Sequence, residues 1–180
     1  PRCAKCGAQT KVILGGAARE CGECGSQHHP RTDPAVIVLI KDKDDRILLG
    51  HQKVWPTNRF STFAGFVEPG ESFEQCVRRE VKEEAGVVVT AMNYLGSQPW
   101  PFPASIMIAY EALIDDPTAA QADGEEIEEI RWYTRESMKA AVQNQSIILP
   151  PTISVARAMI NRWYGSSADR DLLGGEAWRN

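Results

Sequence analysis

Short apolar, β-branched runs and helically spaced apolar stripes follow one another along the chain. Residues 35–41 (AVIVLIK) are apolar and β-branched and predict a short buried strand; residues 42–45 (DKDD) predict a turn, and 46–50 the returning strand. Further strands are expected over 87–96, 105–114 and 127–132, and helices over 72–85, 135–143 and 153–163. Strands alternating with helices point to one α/β or α+β domain. The stretch 28–34 (HHPRTDP) is polar and bounded by prolines, which divides a small module, residues 1–31, from a main domain, residues 32–180. The tail from about Gly165 is polar and glycine-containing, and is expected to be loose.

The helix at 72–85 is the most sharply punctuated. Ser72 with Gln75 three residues on forms a capping-box pattern, and Gly86 suits a left-handed stop. Phe73, Val77 and Val81 form an apolar stripe at four-residue steps. Glu80, Glu83 and Glu84 fall at i, i+3 and i+4, so three carboxylates share one face. They repel one another unless hydrated or holding divalent cations, and hard oxygen ligands suit Mg²⁺ or Mn²⁺. A solvated acidic face is the plainer alternative. Arg79 and Glu83 form an i,i+4 pair through which the arginine can orient a ligand carboxylate.

Composition narrows the function classes. Lys+Arg 20 against Asp+Glu 24 gives a net charge of −4, which argues against bulk electrostatic binding of nucleic acid but leaves an enzyme acting on an RNA end. The longest aliphatic run, residues 35–40, is far short of the ~20 residues of a membrane span. With no leader-like stretch, a cytoplasmic location is expected. The chain starts at Pro1, directly before a cysteine motif, as a piece or processed form of a longer protein would.

Cys3-x2-Cys6 and Cys21-x2-Cys24 stand 14 residues apart, each pair followed by a glycine. Four thiolates so spaced can converge on one Zn²⁺, and with no open position the metal would be structural. The alternative, two disulfides, belongs to secreted mini-domains, which nothing else here suggests. Cys76 lies within the helical pattern and reads as a small buried apolar side chain.

Gly65, five residues, Glu71, seven residues, then Arg79-Glu80-Val81-Lys82-Glu83-Glu84-Ala85-Gly86-Val87 resembles the full Nudix box. The resemblance implies a Nudix α/β/α sandwich with a mixed sheet, preceded here by the small zinc ribbon. It also implies hydrolysis of a diphosphate linked to another moiety, with Glu80, Glu83 and Glu84 carrying Mg²⁺ or Mn²⁺ and Arg79 beside them. Residues 97–105 (SQPWPFPAS) form a proline-stiffened loop, which alone would be an ordinary connector. Together with the ribbon and residues 149–157 (LPPTISVAR), it resembles the NADH pyrophosphatases and NAD-capped RNA hydrolases of the NudC family.

That second resemblance implies cleavage of NAD(H) to nicotinamide mononucleotide and AMP, removal of NAD from RNA 5′ ends, and a homodimer. Carried onto this sequence, it makes Glu126 a further metal ligand, with Glu125 beside it leaving the register open by one. It makes Phe66 the aromatic on which nicotinamide stacks, and places Gln98, Ala156 and Ser105 on the nicotinamide side. His29 stands where some relatives carry a tyrosine that reaches the partner's site, and relatives usually have a further N-terminal domain. Arg2, Lys5, Lys11 and Arg31 are the cations from which a dimer would assemble a basic groove. Two other functions stay open: a Nudix hydrolase of another substrate such as ADP-ribose, and a non-catalytic zinc-ribbon adaptor for RNA or protein.

Overall fold

The computed structural model describes residues 1–173 of the 180-residue chain. They divide into two compact units, Pro1–Thr32 and the residues from Asp33 onward. In the first unit, β1 (Thr10–Ile13), β2 (Ala18–Cys21) and β3 (Gln27–His28) form an antiparallel sheet in the order β1-β2-β3. Its buried apolar residues are only Cys3, Ala18 and Cys21, whereas Val12 and Leu14 face solvent. So small a core cannot hold 32 residues by hydrophobic burial, and the unit needs a staple.

The second unit is built on a six-stranded mixed sheet. Its centre is β4 (Asp33–Lys41), paired in parallel with β8 (Ser105–Ile114) over its whole length. The other edge of β4 is shared: β6 (Phe63–Phe66) pairs with Ala35–Val38, and β5 (Ile47–Gln52) with Ile40 and Lys41. Outside these lie β7 (Val89–Trp100) against β8 and β9 (Ile127–Tyr133) against β5, all antiparallel.

Residues along β4 alternate between two cores. Val36, Val38 and Ile40 face α1 (Phe73–Ala85), while Ile37 and Leu39 face α2 (Arg135–Gln143) and α3 (Val155–Tyr164). A strand covered on both sides must be apolar at every position, which is why 35–40 carries no polar break. The result is the expected three-layer sandwich.

Helix α1 starts and stops where its punctuation demands. Ser72 and Gln75 form both bonds of the capping box, and Gly86 is left-handed. Val77 and Val81 are fully buried, together with Cys76 and Ala85. Phe73 departs from the expected stripe: it is 40% exposed, because the buried face of α1 begins a turn later. A second departure concerns residues 97–100, expected in a loop. They are the end of β7, with Gln98 opposite Met107 and Trp100 opposite Ser105. Pro99 is tolerated because β7 is an edge strand and needs no donor on its open side. The tail departs as well. Residues 168–171 form α4 (Ala168–Asp171), and Leu172 is fully buried among the residues of α3. The rest of that expectation, residues 174–180, lies outside the described residues.

Candidate active site and metal centre

The carboxylates of α1 do not share one environment. Glu84 is 4% exposed and Glu80 half-buried, whereas the Glu83 side chain is 58% exposed at the rim. Glu80 reaches the sheet only because position 65 is a glycine: a Cβ there would lie 1.9–2.3 Å from the Glu80 carboxylate. That close approach explains why the motif carries glycine at this point of β6.

Arg79 organises the cluster. Its Nε and Nη2 fork onto both oxygens of Glu71 at 2.9 Å, and Nη1 bonds Glu80 at 2.7 Å and Glu83 at 3.0 Å. Nη2 also donates to the Phe66 carbonyl at 3.0 Å. With the guanidinium's five donors so engaged, Arg79 acts on the carboxylates rather than on a bound molecule. The side-chain hydrogen bond from Arg79 holds Glu71 down to about 2.

Glu84 is pushed the other way. Burial first, then the charges of Glu126, Glu80 and Asp123, raise its carboxyl to about 8, and its Oε2 is buried without a hydrogen-bond partner. Glu80 is raised by burial against the lowering effect of Arg79, with Glu83 and Glu126 adding to the rise. Glu126 therefore faces the two glutamates across the gap between α1 and the segment before β9. Its carboxylate is held by Gln52 of β5 (Nε2 to Oε1, 2.8 Å), and the Asp123 carboxylate accepts the N–H groups of Glu125, Glu126 and Ile127. Gln52 and Asp123 belong to the site although sequence reasoning passed over both. Nothing local in the sequence ties Asp123 or Gln52 to Glu84.

These oxygens fit a hard divalent cation. An orphaned buried oxygen of Glu84, the neighbouring charges of Glu80 and Glu126 that help raise its pKa, and the Glu83 carboxylate at the rim are a donor set that a dication would relieve. Their oxygens have not closed into one group of ligands, since Arg79 occupies Glu80 and Glu83 while Gln52 occupies Glu126.

Among the described residues, the one set of three or more potential ligands whose atoms lie within 4.8 Å of one another is Cys3, Cys6, Cys21 and Cys24. Their sulfurs stand 3.5–3.7 Å apart in the pairs Cys3–Cys24, Cys6–Cys21 and Cys6–Cys24. A disulfide needs ~2.05 Å, whereas a tetrahedron with Zn–S of ~2.3 Å has edges of about 3.8 Å. The four thiols are free, and their spacing fits zinc. Behind each pair, the N–H of Gly7 or Gly25 bonds back to the carbonyl of Cys3 or Cys21, a turn that requires φ of 76° or 68°. The backbone N–H groups of Cys6 and Lys5, with His28 at 3.3 Å from its sulfur, hold the Cys3 thiol down to about 6 against the effect of burial.

On the opposite face of the sheet, a cavity of about 180 Å³ is lined by Gln98 and Trp100 of β7, Met107, Pro150, Pro151 and Ala156. Gln98 and Ala156, far apart in sequence, thus meet. The Gln98 amide is committed to the start of α3, donating to the Ile153 carbonyl and accepting from Val155 N–H, both at 2.8 Å. Ser105 is buried at the start of β8, opposite Trp100, and is not among the residues that line the cavity. Phe66 is 59% exposed at the end of β6, so it is no core residue. His29 lies exposed in the N-terminal unit.

Residues 31–150 match the NUDIX domain family. Over 166 residues the chain is 46% identical to the NAD-capped RNA hydrolase NudC of Mycobacterium bovis, covering 87% of this chain and 53% of that protein. Over 173 residues it is 40% identical to the human NAD-capped RNA hydrolase NUDT12, covering 89% of this chain and 37% of the relative. The chain thus spans about half the length of the first of these relatives and just over a third of the second. Among solved structures, a NUDIX hydrolase from Nitrosomonas europaea superposes with a TM-score of 0.65 at 18% identity, covering 97% of this chain and 94% of that one.

Proposed function

The chain belongs to the NUDIX family, and from that membership we propose a Mg²⁺- or Mn²⁺-dependent hydrolase that splits the pyrophosphate of NAD(H) into nicotinamide mononucleotide and AMP and removes NAD from RNA 5′ ends, leaving a 5′-monophosphate. The names of the two relatives support this choice of substrate. The observation that carries the hydrolytic reading is the buried Glu84 carboxylate, whose Oε2 has no hydrogen-bond partner, beside Glu80 and Glu126. Glu80, Glu83, Glu84 and Glu126 would hold the divalent cation, which when bound would neutralise phosphate charge and activate the attacking water. The protein's own share is positional. Arg79, anchored by Glu71, sets Glu80 and Glu83; Gln52 sets Glu126; and Glu84, raised to about 8 chiefly by burial, would have to be deprotonated to serve as a ligand.

For the nicotinamide, Phe66 presents an exposed ring, and the cavity beside Gln98 and Ala156 exceeds the ~150 Å³ that accommodates benzene. His29 and Ser105 remain secondary contacts in this reading. Zn²⁺ on the four cysteines stabilises the N-terminal unit, and a homodimer in the cytoplasm completes the proposal. No helix among the described residues is long and apolar enough to cross a membrane.

The test is a Mn²⁺-dependent assay with NADH, ADP-ribose and a short NAD-capped RNA, each with its products identified. Cleavage of NADH and capped RNA in preference to ADP-ribose is expected. Preference for ADP-ribose would overturn the substrate assignment, and no hydrolysis of any of the three would favour the adaptor function.

A further inference from the structure

Part of the cavity wall is the pair Pro150-Pro151. Two consecutive prolines carry no N–H, so this segment can be tied down only through its carbonyl oxygens. Pro151 O accepts from Ser154 N–H at 3.0 Å and Ser154 Oγ at 2.9 Å. Pro150 O accepts from Arg157 Nη1 at 3.1 Å. Arg157 is itself buried, 3% exposed, in the first turn of α3. A cation at a helix N-terminus opposes the helix dipole, so its place there has to be secured by acceptors. The structure provides Asn161 Oδ1 from the next turn of α3, at 2.9 Å from Nε, and two carbonyls from other segments: Pro150 O, and that of Leu172, bonded by Nη2. Leu172 follows α4 and is fully buried, so the guanidinium ties the cavity wall to the docked C-terminal segment.

We propose that Arg157 is a positioning residue for substrate binding, fixing the Pro150-Pro151 wall and making its position depend on the docking of α4 and Leu172. Its effect on NAD(H) rests on the proposed function, in which nicotinamide enters this cavity; its effect on the wall does not.

The experiment compares wild type, Arg157→Lys and Asn161→Ala. Lysine keeps the charge but has no planar fork with which to span these acceptors. KM for NADH is expected to rise about tenfold with Arg157→Lys and about threefold with Asn161→Ala, with kcat within about twofold and KM for ADP-ribose unchanged. Amide exchange at Ser154 and Val155 should accelerate in both variants while α1 keeps its protection. If Arg157→Lys fails to fold, Asn161→Ala decides by the same readings. Unchanged KM and unchanged exchange in a folded variant would overturn the proposal. Parallel loss of kcat on both substrates would reduce Arg157 to general stability and would equally overturn it. A wild type inert to NADH would defeat the functional reading alone, and the exchange data would still decide the role of Arg157.

Discussion

Replacing Glu84 with glutamine tests the electrostatics of the site without any assumption about substrate. The carboxyl is 4% exposed and titrates at about 8, against 4.5 for a solvated glutamate. Between those two values the folded protein holds a proton that the unfolded chain has released. The stabilisation is therefore complete below pH 4.5, declines as pH rises, and is exhausted above about pH 8. At ~1.4 kcal/mol per pH unit, the full span is on the order of 4–5 kcal/mol, and about 3 kcal/mol of it is lost by pH 7. Glutamine is nearly isosteric and never ionises, so Glu84→Gln removes the pH-dependent loss. It also leaves an amide N–H without a partner where Oε2 now sits, at ~1–3 kcal/mol. The variant should be the less stable protein near pH 5 and the more stable one near pH 8. Urea unfolding across pH 5–8.5 without added Mg²⁺ or Mn²⁺, followed by tryptophan fluorescence, measures this. All five tryptophans lie from Trp55 onward, so the signal excludes the ribbon. A stability difference that stays constant with pH would refute the assignment of Glu84 as the strained carboxylate. The same variant should lose turnover at every pH, since its amide can neither release a proton nor bind a cation as a carboxylate does.

Gly65→Ala places a methyl group in the space of the Glu80 carboxylate; turnover should fall at least tenfold with weaker Mn²⁺ affinity, measured by titration calorimetry, while α1 stays folded. Unaltered metal affinity would mean that Glu80 is no ligand. Phe66→Ala should raise KM for NADH more than for ADP-ribose, because only NADH offers the nicotinamide ring; as Phe66 is exposed, unfolding midpoints should barely move. Zinc removal by a strong chelator should release one Zn²⁺ per chain, read by a colorimetric indicator, and unfold residues 1–32. A ribbon whose amide spectrum survives chelation would contradict the cysteine assignment.

What the sequence by itself determined is local. The hooks of the ribbon and the start, stop and carboxylate spacing of α1 are written in residues at most a few turns apart, where backbone geometry alone fixes who faces whom. The apolar run 35–40 was legible for a similar reason, since a strand buried on both faces leaves no polar position. Only the tertiary structure decided which of Glu83 and Glu84 is buried, because adjacent helix positions differ by about 100° of rotation and the covering sheet comes from elsewhere. Of the neighbours Glu125 and Glu126, both open to the sequence, it is Glu126 that the fold turns toward the cluster and bonds to Gln52, 74 residues away. The role of Gly65, the strand character of 97–100 and the docking of Leu172 likewise depended on partners distant in the chain. Propensity and spacing describe a residue's own turn of backbone; burial, charge crowding and close approach are set by what the fold brings against it.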